Sequence, residues 1–167
     1  MEIIALRLIH VLGGIFWVGS VLFTTFFLLP VLAQAGQAAG PVMAGLRQRR
    51  LLTVLPLVAL LTIGSGLRLL WLTSAGLTAA YFTTPGGQAY ALSGLAAIVA
   101  LLVGFFVTRP ATARLAALTP RPADGPADSQ GAVVEIASLR RRVGLSSAVV
   151  TFLVTAAAAG MAVARYV

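Results

Sequence analysis

Residues 3–29 read IIALRLIHVLGGIFWVGSVLFTTFFLL, an apolar run longer than the roughly 20 residues a helix needs to cross a bilayer. Inside hydrocarbon, backbone N–H and C=O groups must be satisfied within the segment itself, so a lone run of this kind is restricted to an α-helix. The run also carries the chain's single histidine, His10. An ionisable ring at membrane depth is costly to keep and marks a candidate functional position.

Three further runs, at about 51–73, 88–108 and 143–166, are also long enough to span about 30 Å of hydrocarbon. Hydrophobic residues make up 59% of the chain, charged residues 10%, and the mean hydropathy is +0.99, the composition of an integral membrane protein. The expected fold is therefore an all-α bundle of four transmembrane helices in one domain of 167 residues. Pro30 is expected to end the first helix. That helix does not read as a cleavable signal peptide, because it starts with Glu2, carries no early base, runs too long and lacks an A-x-A site.

The net charge of +8 comes from twelve arginines without a lysine. Their position beside apolar runs argues against nucleic acid as the partner and for anionic lipid headgroups. Arg47, Arg49 and Arg50 precede the second run; Arg109, Arg114, Arg121, Arg140, Arg141 and Arg142 lie between the third and fourth. The connection from Ser74 to Gly87 is uncharged. Positive-inside bias then places both Arg-rich loops in the cytoplasm of a bacterial inner membrane, and both termini outside. The loop at about 110–140, with TPRPADGPADSQG at 119–131, is expected to be flexible and exposed, and VVEIASLRRR at 133–142 to begin a helical approach to the fourth span. The absence of cysteine excludes disulfides and thiolate metal sites.

The two halves resemble each other weakly. LRQRRLLT at 46–53 matches LRRRVGLS at 139–146, and LIHVLGGI at 8–15 matches ALSGLAAI at 91–98, which suggests a 2+2 internal repeat with both halves running in the same direction. This alignment sets His10 against Ser93 and Arg68 against Met161.

Rise along the helices places four side chains in one outer layer. His10 lies about seven residues, or roughly 10 Å, inside the first span. Arg7, Arg68 and Met161 fall at similar depths. Gly13 and Gly14 leave the His10 face bare as far as Trp17, which allows either the close approach of another helix or the edge of a flat cofactor. His10 itself reads as a neutral ring bonded to a neighbouring helix, for instance to Ser93, or as a ligand for haem iron or copper. Met161 reads as packing or as a soft second ligand. Arg7 and Arg68 read as snorkelling side chains or as partners of an anion such as a haem propionate, with Glu2 available to neutralise Arg7.

The segment LIHVLGGIFWVGSVLF at 8–23 resembles the first helix of the copper-resistance-D-like (CopD-like) membrane proteins, in which a His precedes a Trp by seven residues. The four-span layout extends that resemblance over most of the chain. The His-x6-Trp helix is also similar to that of the HemJ-type protoporphyrinogen oxidases, which implies haem b held by His10 and by a lysine on the third helix, near Ser93. This chain contains no lysine, so the bis-ligated site of that family is not reproduced here.

Two functions follow as expectations. One is electron transfer or redox at a haem b or copper site near the outer face, with His10 and Met161 as ligands, Arg7 and Arg68 as anion partners, and Trp17 and Ser93 lining the site. The other is a cofactor-free structural or accessory protein, either a homo-oligomer or a subunit of a larger membrane complex. Phosphate loops, G-x-S-x-G elbows and H-E-x-x-H motifs are missing, and no acidic residue lies in mid-span where a proton relay would need one.

Overall fold

A computed structural model describes residues 1–118 and 130–167. The described residues are helical and contain no strand, and four helices are long and apolar enough to cross a membrane. In chain order these are α1 (Glu2–Gln34), a short α2 (Ala39–Gln48), α3 (Leu51–Thr73), a single turn α4 (Ala79–Phe82), α5 (Pro85–Leu118) and α6 (Gln130–Val163). The protein is an all-α, four-helix membrane bundle.

Each long helix packs chiefly on its partner in a hairpin, α1 on α3 and α5 on α6. Secondary contacts of α1 with α6 and of α3 with α5 close the ring. Both termini lie at one end; Arg47, Arg49, Arg50, Arg109, Arg114 and Arg140–Arg142 lie at the other. The core is a single large ring among small side chains. Trp17, 6% exposed, packs with Ala59, Ala97, Ala100, Val150, Val154 and Ala157. Alanines let the helices approach closely enough for dispersion contacts, which drive association where lipid and side chain are equally apolar.

The helices outrun two of the expected boundaries. Pro30 does not stop α1, which continues to Gln34, and α5 continues past Arg109 to Leu118. In both cases the proline follows a π-helical segment, Thr24–Leu28 before Pro30 and Gly104–Thr108 before Pro110. The wide turn shifts the hydrogen-bond register, with Leu29 N–H donating to Thr24 O and Arg109 N–H to Gly104 O. Proline's missing donor falls at this shift, where the α-ladder is already interrupted. Helix also enters the expected loop at about 110–140 from both sides, as far as Leu118 in α5 and from Gln130 in α6. The residues 119–129, most of the TPRPADGPADSQG stretch, lie outside the described residues.

A π-segment followed by proline recurs in α1 and α5. This recurrence sets Pro30 against Pro110, and so Gly13 rather than His10 against Ser93, three residues from the register of the sequence comparison.

Candidate functional site

At the terminal end, His10 stands in the seam between α1 and α3. Its Nδ1 lies 2.7 Å from the carbonyl oxygen of Thr62. A carbonyl only accepts, so Nδ1 carries the proton and the Nε2 lone pair is free in the neutral ring. The Thr62 oxygen also accepts from Ser65 Oγ at 2.9 Å. The ring lies over Gly66, where an added Cβ would stand 2.6 Å from Cε1 and 2.9 Å from Nδ1. Gly13 meets the Thr62 hydroxyl closely enough that a Cβ there would collide with Oγ1. The bare face beside His10 is therefore filled by α3, as the helix-packing reading has it.

The other outer-layer residues are distributed over the bundle. Ser93, 6% exposed, faces Gly160 in the seam between α5 and α6, and the expected bond from His10 to Ser93 is replaced by the bond to the Thr62 backbone. Met161 follows Gly160 on α6 and is half-buried. Arg68 Nε pairs with Glu2 Oε1 at 2.8 Å, so Glu2 serves Arg68 rather than Arg7, and Arg7 is exposed on the surface of α1. Trp17 is the one candidate that occupies the centre of the bundle.

An opening lies in the other half, between Trp17 and the Arg-rich end. It is a cavity of about 220 Å³, lined on α1 from Trp17 to Leu32, on α3 from Leu51 to Ala59, on α5 from Ala100 to Thr112 and on α6 from Val143 to Val150. The irregular backbone of the bundle converges here. Thr24, Thr25 and Leu28 of one π-segment line it, as do Gly104, Phe105 and Thr108 of the other, and Pro56, the proline inside α3. Two hydroxyl pairs brace the walls against α6: Thr25 Oγ1 with Thr151 Oγ1 at 2.8 Å, and Thr108 Oγ1 donating to Ser146 Oγ at 2.9 Å. The lining is otherwise almost wholly apolar, with Arg47 from α2 and Arg109 from α5 as its charged members.

Sequence reasoning concentrated on His10 and did not single out this cavity. A signal was present in the Phe-Phe pair preceding a proline at both 26–30 and 105–110, but the width of a π-turn is not encoded in hydropathy.

The fold defines the class: a polytopic helical membrane protein whose core is one cluster about Trp17. Comparison with known proteins finds no matching family model, no similar curated protein and no similar solved structure.

Proposed function

We propose that this chain is a cofactor-free binding or accessory protein of the bacterial inner membrane, with its Arg-rich end in the cytoplasm, whose working site is the cavity between the two hairpins. The cavity takes an apolar chain drawn from the bilayer. The observation that carries this reading is the convergence of both π-segments and Pro56 on one internal space. Irregular backbone at membrane depth persists where it is buried in protein or lines a cavity, and π-bulges concentrate at functional sites.

One observation favours a second reading, a CopD- or HemJ-like redox protein with haem b or copper on His10. The Nδ1–H bond to Thr62 O leaves the Nε2 lone pair available, and a backbone carbonyl fixes a metal-bound imidazole in the same way. Bound there, such a group would supply one-electron chemistry. The remaining residues fit it poorly. Gly13 is covered by Thr62, Arg68 is engaged by Glu2, and Ser93 belongs to the opposite seam. Among the described residues no three His, Cys, Asp or Glu side chains gather as a ligand set.

Protein purified gently after expression with ample haem supply decides between them. Oxidised and dithionite-reduced spectra and metal analysis, on wild type and His10→Ala, are expected to show neither a Soret band nor stoichiometric copper. Lipid extracted from the same wild-type sample is expected to include a tightly held acyl-chain component that is lost in Gly104→Phe. Gly104 lines the cavity and has open space at its Cβ position, so a side chain can start there without collision and its ring is expected to take up cavity space. A Soret band abolished by His10→Ala would overturn the first reading in favour of the second.

A further inference from the structure

The mouth of the cavity is charged in a way that its interior is not. Arg47 and Arg109 are exposed at the Arg-rich end and both line the opening. The Arg109 guanidinium carbon stands 5.2 Å from the Phe105 ring centroid, a cation–π contact that holds the head group at the wall of the cavity. Two acids belong to the described residues, and both are engaged elsewhere: Glu2 with Arg68 at 2.8 Å, and Glu135 with Arg114 at 2.9 Å. Among the described residues, then, neither Arg47 nor Arg109 has a carboxylate partner. Two guanidinium groups at the rim of an apolar cleft, at the Arg-rich end of the bundle, are complementary to a negatively charged group attached to a hydrocarbon chain.

Size limits the occupant. A volume of about 220 Å³ is below the roughly 300–1,000 Å³ of pockets that enclose drug-sized ligands, so the space suits a slender chain rather than a ring system. Resting on the acyl-chain reading of the cavity, we propose that the occupant is an anionic phospholipid of the bilayer, with one acyl chain along the cavity toward Trp17 and its phosphate between Arg47 and Arg109.

Trp17 reports on this directly, since it is buried and lines the cavity, and the only other tryptophan, Trp71, is half-exposed and can be replaced. Trp71→Phe protein is reconstituted in phosphatidylcholine nanodiscs doped with acyl-brominated phosphatidylglycerol or acyl-brominated phosphatidylcholine, and quenching of Trp17 is measured against mole fraction. Each arginine near the surface is expected to contribute about fivefold in affinity, so phosphatidylglycerol should quench at a roughly twenty-five-fold lower mole fraction than phosphatidylcholine. Arg47→Gln with Arg109→Gln should bring the two lipids to the same curve, and Arg47→Lys with Arg109→Lys should retain much of the difference. Gly104→Phe should remove quenching by both. Equal curves for the two lipids in the parent protein, unchanged by the glutamine pair, would overturn recognition of the anion while leaving the acyl-chain cavity standing. Failure of either lipid to quench Trp17, or quenching unaffected by Gly104→Phe, would overturn the cavity reading itself. Unchanged far-UV circular dichroism identifies variants that remain folded.

Discussion

His10 and Gly66 are fitted to each other, and the fit explains why a glycine stands in the middle of α3, where it otherwise weakens a helix. Without a side chain at 66 the imidazole reaches the Thr62 carbonyl across the seam; with one, the ring must move. Gly66→Ala is expected to destabilise the protein by about 1–3 kcal/mol through overpacking. Gly64→Ala, two residues away with nothing within 4 Å of its Cβ position, should be neutral or stabilising by up to ~1 kcal/mol. Thermal unfolding of both variants in detergent checks the contrast, and equal effects would remove the seam as the reason for Gly66. The polar character of this position was legible in the sequence, because a histidine in a long apolar run is conspicuous. Its partner was not. Hydropathy leaves helix rotation undetermined, and a backbone carbonyl exists at every residue, so nothing distinguishes Thr62 as acceptor before α1 and α3 are docked. For the same reason Ser93 was a plausible partner by depth and yet faces Gly160.

Whole elements were easier to read than their ends. Apolar length identified the four spans, and the expected boundaries at 51–73 coincide with α3. Pro30 misled, because a proline normally ends a helix whose ladder it interrupts, whereas here the preceding π-turn absorbs the interruption. The arrangement predicts what removal of one residue does. Deleting Phe26, which is 61% exposed, would convert Thr24–Leu28 to an ordinary α-turn while leaving Leu29–Gln34 in phase with the start of α1, because the π-turn is one residue absorbed into the helix. Proline's missing donor would then fall within an α-ladder, costing about 3 kcal/mol. Combining the deletion with Pro30→Ala should recover that stability in a thermal unfolding experiment. Lipid extracted from the purified double variant should still be depleted, because the wide turn whose Thr24, Thr25 and Leu28 line the cavity would be gone. Retention of wild-type lipid content in the double variant would mean that the π-turn serves the proline alone.

At the scale of the molecule, two hairpins of like direction concentrate charge at one end of the bundle, and the cavity lies in that half. Orientation therefore decides which leaflet supplies the occupant. The arginines on the α2–α3 connection and around the ends of α5 and α6 favour the cytoplasmic side, while the Ser74–Gly87 connection is uncharged and free to cross. Since the chain has no cysteine, single cysteines can map this without background. Thr83→Cys, exposed between α4 and α5, should react with a membrane-impermeant maleimide in intact spheroplasts. Arg49→Cys, exposed between α2 and α3, should react only after permeabilisation. The reverse pattern would place the cavity in the outer leaflet and His10 toward the cytoplasm, exchanging the compartments that the two polar regions face. With the expected pattern, Arg47 and Arg109 stand at the inner-leaflet headgroup level, where anionic lipid is concentrated and where their attraction for phosphate acts over the shortest distance.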